Sequence, residues 1–156
     1  MVKRKSLPPT SDVPALSGTL SFMQLLWELH HELQARSKEM EHRHGVTGPQ
    51  RLVLRLVGRF PGVSPGELAA LLRLHPSTLT GVFSRLEARG LIRRKKDPED
   101  ARRAVLELTA SGTRIDARRT GTVEAVLKRA LSRLSPAQVE STERALRLII
   151  EEFQRG

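Results

Sequence analysis

Three times in this chain a hydroxyl residue stands three positions ahead of Gln or Glu, with proline inside the interval. The stretches are Thr47-Gly48-Pro49-Gln50, Ser64-Pro65-Gly66-Glu67 and Ser135-Pro136-Ala137-Gln138. Each is a capping box: the hydroxyl accepts a free backbone N–H of the first helical turn, and the longer side chain reaches back to the cap's own N–H. Proline is tolerated there because its missing N–H would have no helical partner anyway. Such signals fix where helices start, and their spacing confines the middle of the chain to short ones. The first runs to Val57, and the second covers Leu68-Ala69-Ala70-Leu71-Leu72. Pro76 opens a third, which carries Leu79, Val82, Phe83 and Leu86 and stops at Gly90. Gly58-Arg59-Phe60-Pro61-Gly62 reads as a breaker loop between the first two.

After Gly90 the hydrophobic period drops to two. Leu91 to Lys96 and Arg103 to Leu108 predict two short strands around a turn-rich tip at 97–102. Alternation puts Leu106 and Leu108 on one face with Ala104, and Val105 and Glu107 on the other. Thr109 then caps a helical stretch through Ile115, Val123, Val126, Leu127 and Leu131, and Ser135 starts a last helix with Val139, Leu146, Ile149, Ile150 and Phe153. Upstream, from Ser17 to His44, Leu20, Met23, Leu26, Trp27, His30 and Leu33 recur at three and four. Phe22, Leu25 and Leu29 widen that apolar stripe, so more than one partner must cover the helix.

The expected order is therefore one long helix, three short helices, a hairpin and two helices. Its class is mainly α: a winged helix-turn-helix with a two-stranded β-hairpin wing and a helical dimerisation region. The expected division is a flexible basic tail at 1–15, a dimerisation region at 16–45 and 110–156, and a DNA-binding domain at 46–109. Left without a partner, Leu20, Leu25, Leu29, Val139, Ile149, Ile150 and Phe153 would expose too much apolar surface, which predicts a homodimer.

Composition narrows the chemistry. Twenty-seven Lys and Arg stand against 17 Asp and Glu, a net charge of +10, so a polyanion is the first partner to consider. The absence of cysteine removes disulfides, thiolate nucleophiles and every cysteine-containing zinc site. No apolar run approaches the roughly 20 residues of a membrane span. Lys3-Arg4-Lys5 is followed by Leu7-Pro8-Pro9-Thr10 rather than an apolar stretch. A cytoplasmic protein without membrane contact is expected. No glycine-rich nucleotide loop or serine elbow is present, and no paired acids sit in an apolar setting, so no enzyme is expected. The five histidines, His30, His31, His42, His44 and His75, predict neither metal nor cofactor. His42 and His44 do not share a helix face, and Ala35 stands where a His31-Glu32 zinc motif needs its second histidine. A site with Glu39 or Glu41 is the weaker alternative.

The third short helix divides cleanly. Leu79, Val82, Phe83 and Leu86 can dock on the preceding helices, leaving Ser77, Thr78, Thr80, Ser84 and Arg85 to face a DNA major groove. Gly81 costs about 1 kcal/mol against Ala inside a helix. It either permits close approach to DNA or has no role. The hairpin brings Arg93, Arg94, Lys95 and Lys96 on one arm and Arg102 and Arg103 on the other, a set suited to phosphates and a narrow minor groove.

Several stretches, taken in order, resemble the MarR family of bacterial and archaeal regulators. They are Gly45 to Gln50, Leu68 to Leu72, His75 to Thr80, Arg85 to Ile92, Asp97 to Arg103 and Leu106 to Thr109. The resemblance spans roughly residues 20 to 153, and its most specific part is Asp97-Pro98-Glu99-Asp100-Ala101-Arg102 followed by Leu106-Glu107-Leu108-Thr109. It implies that Arg102 enters the minor groove and that Asp100 orients it. It further implies dimers joined through the first and last two helices, pseudo-palindromic operators, and release by a small-molecule effector. Two positions depart from the pattern. His75 replaces the usual Ser or Thr cap, which should set the helix start less firmly. Ser84 replaces an Asp, removing a negative charge near DNA.

The expected function is a sequence-specific, ligand-responsive repressor that binds double-stranded DNA as a homodimer. The alternative is an architectural DNA-binding protein without sequence preference. A hydroxyl-rich reading face favours the first, since a coat protein would show mainly Lys and Arg there. The expected DNA-binding residues are Ser77, Thr78, Thr80, Ser84, Arg85, Arg94, Lys95, Lys96, Asp100, Arg102 and Arg103.

Overall fold

The computed structural model describes residues 18–100 and 102–156. The expected tail at 1–15 lies outside them. The chain begins with α1 (Thr19–His44), which ends at Gly45 in the left-handed region (φ 74°). Then follow α2 (Gly48–Arg59), α3 (Pro65–Leu72) and α4 (Pro76–Ala88). The hairpin comprises β1 (Ile92–Lys96) and β2 (Ala104–Leu108), and α5 (Ala110–Asp116), α6 (Val123–Leu131) and α7 (Pro136–Arg155) complete the chain.

All three capping boxes form as the spacing requires, with Thr47, Ser64 and Ser135 each accepting the backbone N–H three residues on. Arg73 at φ 52° ends α3 and turns the chain, so that Pro76 can start α4 three residues later. The strands pair antiparallel from Ile92 opposite Leu108 to Lys96 opposite Ala104.

One buried cluster holds these parts together. It runs from Val46 through Val53, Leu54 and Val57 of α2, Leu68 and Ala69 of α3 and Leu79, Val82, Phe83 and Leu86 of α4, to Leu91, Ile92 and Leu106 of the hairpin. Truncating a fully buried leucine such as Leu54 or Leu86 to alanine costs about 2–5 kcal/mol, so this core fixes where α4 and the wing stand. The arms contribute almost nothing to it. Helix α1 buries only Met40, and α6 and α7 bury no residue.

Three details correct the sequence expectation. Helix α2 continues through Gly58 and Arg59, and the loop begins at Phe60. Gly58 does not break the helix; it makes room, because a Cβ there would lie 3.0 Å from Leu108 Cδ1 and 3.1 Å from Asp116 Oδ2. Gly62, at φ 82°, makes the turn instead. The stretch after Thr109 is two helices, giving three after the hairpin: the chain breaks at Gly121 (φ 68°), and Thr122 caps α6 through Ala125 N–H. In β2, finally, Val105 is buried as well as Leu106, so alternation does not separate an inner from an outer face there.

The break between α5 and α6 is organised by Arg51 of α2, a 2% exposed arginine. Its guanidinium donates to the carbonyls of Ile115, Asp116 (3.2 Å) and Arg118 (2.6 Å), and to Glu124 Oε1 (2.6 Å). These contacts satisfy the exposed carbonyl end of α5 and pin the start of α6 to the head. Beside it, Arg55 pairs with Asp116 at 2.9 Å.

Candidate nucleic-acid interface

Helix α4 is divided as its sequence requires. Leu79, Val82, Phe83 and Leu86 are buried, while Ser77, Thr78, Thr80, Ser84 and Arg85 are exposed along the other side. His75 does cap the helix: its Nδ1 accepts from Ser77 N–H at 3.3 Å and lies 2.7 Å from Ser77 Oγ. That distance is no longer than those of the hydroxyl caps Thr47 (3.4 Å) and Ser135 (3.3 Å), so the expected looser start of α4 does not show in the cap's geometry. Thr80 donates its hydroxyl hydrogen to Pro76 O at 3.2 Å, which leaves the oxygen's lone pairs facing outward as acceptors. At Gly81 an added methyl would meet only the Arg85 guanidinium, at 3.7–3.9 Å. Among the described residues, nothing requires glycine there.

The wing sorts its cations into two groups. Arg93 and Lys95 pair with Glu107 at 3.1 and 2.7 Å, the first as a direct cross-strand neighbour in the register. Arg94 pairs with Glu87 of α4 at 2.8 Å. Arg103 reaches back to Glu67 of α3 and has Asp97 at 3.9 Å. Among the described residues, Lys96 and Arg102 have no ion-pair partner, and both are exposed. The expected site residues Arg94, Lys95 and Arg103 thus lie on the wing with carboxylates already against them.

The tip between the strands is made of two short side-chain turns. Asp97 Oδ1 accepts Glu99 N–H at 2.9 Å, and Asp100 Oδ1 accepts Arg102 N–H at 3.0 Å. Asp100 therefore holds Arg102 through its backbone rather than through its guanidinium. Asp97 N–H donates to Arg103 O, and Arg103 N–H to Asp100 O, both at 2.9 Å, closing the loop behind Arg102.

Sequence reasoning missed Glu67, Glu87 and Glu107, the acids that hold the wing's cations. Glu107 was accessible once the strand register was known, because it lies directly opposite Arg93. Glu67 was identified as a helix cap, but its second bond, to a residue 36 positions away, has no local signal. Glu107 is held below the ordinary carboxylate range, chiefly by Lys95 and then by Arg93. Among the described residues, no three His, Asp or Glu side chains converge as metal ligands, and no helix is long and apolar enough to cross a membrane.

Residues 44–103, from the end of α1 to the far arm of the wing, match the model of the MarR family. The chain is 32% identical over 114 residues to the transcriptional regulator HosA of Escherichia coli O111:H-, a match covering 72% of this chain and 84% of that one. Its backbone is similar to that of S. aureus MepR in complex with DNA (TM-score 0.71, 21% identity, 88% of this chain and 99% of that chain). It is also similar to the PcaV transcriptional regulator from Streptomyces coelicolor in complex with its natural ligand (TM-score 0.65, 25% identity, 89% and 98%). With a buried head that presents α4 and a basic wing, and with these relatives, the chain belongs to the MarR family of winged-helix, DNA-binding transcriptional regulators.

Proposed function

We propose that this chain is a homodimeric, ligand-responsive repressor of a pseudo-palindromic operator, with residues 46–109 reading DNA and residues 16–45 and 110–156 joining two copies. In this reading α4 enters the major groove. Ser77, Thr78, Thr80, Ser84 and Arg85 meet base edges, and Arg102 enters the adjoining minor groove. Lys96 meets phosphate, and Asp100 holds Arg102 in place. Arg94, Lys95 and Arg103 add positive potential and become phosphate contacts only by leaving their present partners.

The observation that carries the proposal is the pairing of one exposed, hydroxyl-rich helix face with an arginine at the wing tip that has no partner among the described residues. A non-specific coat would gain most from lysines and arginines on that face, and α4 offers only Arg85 there. Repression follows from occupancy alone: a dimer seated on a promoter needs no further surface to exclude other proteins. The ligand-bound state of PcaV supports an effector as the means of release.

Selection of bound duplexes from a random pool tests the reading. The expected result is an inverted repeat whose half-sites lie about 10 base pairs apart, one turn of the double helix. Recovery of unrelated sequences in proportion to the pool would instead identify an architectural DNA-binding protein.

A further inference from the structure

Glu67 has two jobs that use different oxygens. Its Oε2 accepts from Ser64 N–H at 2.8 Å and Ser64 Oγ at 2.9 Å, which is the capping box of α3. Its Oε1 accepts from Arg103 Nη2. Arg103 directly follows Arg102 and precedes the first residue of β2, and its backbone closes the tip by pairing with Asp97 and Asp100. A two-stranded hairpin is marginal by itself, so its angle to the head depends on whatever grips it from outside. At the distal end that grip is Glu67 on Arg103; nearer the base, Arg94 pairs with Glu87 of α4 at 2.8 Å, Leu106 N–H donates to Val63 O at 2.8 Å, and Ile92 and Leu106 are buried in the core.

We infer that Glu67 is a positioning residue for DNA binding, which holds Arg103 and thereby sets the wing at the angle that brings Arg102 to the minor groove. This rests on the reading that Arg102 contacts DNA. It reassigns Arg103 from a phosphate contact to the wing's tether. Both side chains are substantially exposed, 43% for Arg103 and 51% for Glu67. An isolated pair of this kind adds little to global stability, so its effect belongs in DNA binding rather than in the melting temperature.

The charge of Glu67 makes the test decisive. Removing a negative charge from a DNA-facing head should leave binding unchanged or tighten it, if charge is all that matters. A tether predicts the opposite sign. Glu67→Gln is the suitable variant because Gln50 and Gln138 already fill the same position in the capping boxes of α2 and α7. The α3 cap survives, and only the partner of Arg103 is weakened. Affinity is measured at fixed salt for the full chain on a duplex it selects from a random pool, with Arg102→Ala, Arg103→Ala and the double variant Glu67→Gln/Arg103→Ala alongside.

The expected result is that Glu67→Gln binds about 3- to 10-fold more weakly with unchanged melting, and costs nothing further once Arg103 is Ala. Equal or tighter binding by Glu67→Gln, while Arg102→Ala weakens binding, overturns the tether and leaves the wing contact standing. Additive losses show that Glu67 does not act through Arg103 and also overturn it. Full affinity in Arg102→Ala overturns the wing contact itself, and the tether with it.

Discussion

Four of the six basic side chains between Arg93 and Arg103 lie against carboxylates within the chain, and Lys96 and Arg102 do not among the described residues. A cation without an internal partner can turn to phosphate or a groove without first breaking a bond, so Arg102 is the side chain whose loss should register most clearly. Arg102→Ala is expected to weaken binding to a selected duplex by about 1–3 kcal/mol, measured by titration at constant salt. Glu67 makes a separate prediction about pH. The Ser64 backbone N–H first, and then the Arg103 guanidinium and the Ser64 hydroxyl, lower its carboxyl from 4.5 to about 2. A lowered value in the folded state means that the stabilisation is complete above pH 4.5 and fades as pH falls toward about 2. The contact between α3 and the wing is therefore constant from neutral pH to well into the acid range. A carbon-detected NMR titration of the Glu67 carboxyl checks this. Its midpoint should rise in Arg103→Ala yet stay below 4.5, because the larger cause, the Ser64 N–H, is untouched.

Among the elements, those with a local chemical signature were legible in the sequence. Capping boxes locate α2, α3 and α7 because hydroxyl, proline and Gln or Glu act within one turn, and the spacing of the apolar positions of α4 marks its buried face. The hairpin followed from a change of period and an aspartate-rich turn. What escaped were features set by distant residues: Gly58 as a close-packing position under Leu108 and Asp116, the break before Thr122, and the acids that hold the wing. Arg51 is the strongest case, an arginine in an apolar helix run whose partners lie 64 to 73 residues away. Removing it strands three backbone carbonyls at the joint between head and arm. Arg51→Ala should destabilise the protein by roughly 1–3 kcal/mol in denaturant unfolding, the cost of leaving buried carbonyls without donors, since Glu124 is 43% exposed and can turn to water.

For the whole molecule the decisive fact is where burial stops. The core closes around α2, α3, α4 and the hairpin, while α7 buries nothing and α1 buries only Met40. Trp27 is 69% exposed and Phe153 78% exposed, on helices that also carry Leu20, Leu25, Leu148 and Ile150 in the open. Two copies joined through these faces would cover that surface and set two wings on one duplex. Sedimentation velocity at micromolar concentration is expected to give twice the chain mass. Ile150→Glu combined with Phe153→Glu should give a monomer whose head remains folded, seen as retained core side-chain signals by NMR. A wild-type monomer would contradict the arrangement.

The central claim is that two α4 faces choose a sequence rather than merely meeting a polyanion. Competition at constant salt, with a labelled selected duplex displaced by unlabelled copies of itself or of its scrambled sequence, tests this most directly. The account predicts that the scrambled duplex is needed at roughly a thousandfold higher concentration or more. Equal displacement by both would show that the charge of the head, and not the hydroxyl face of α4, governs binding.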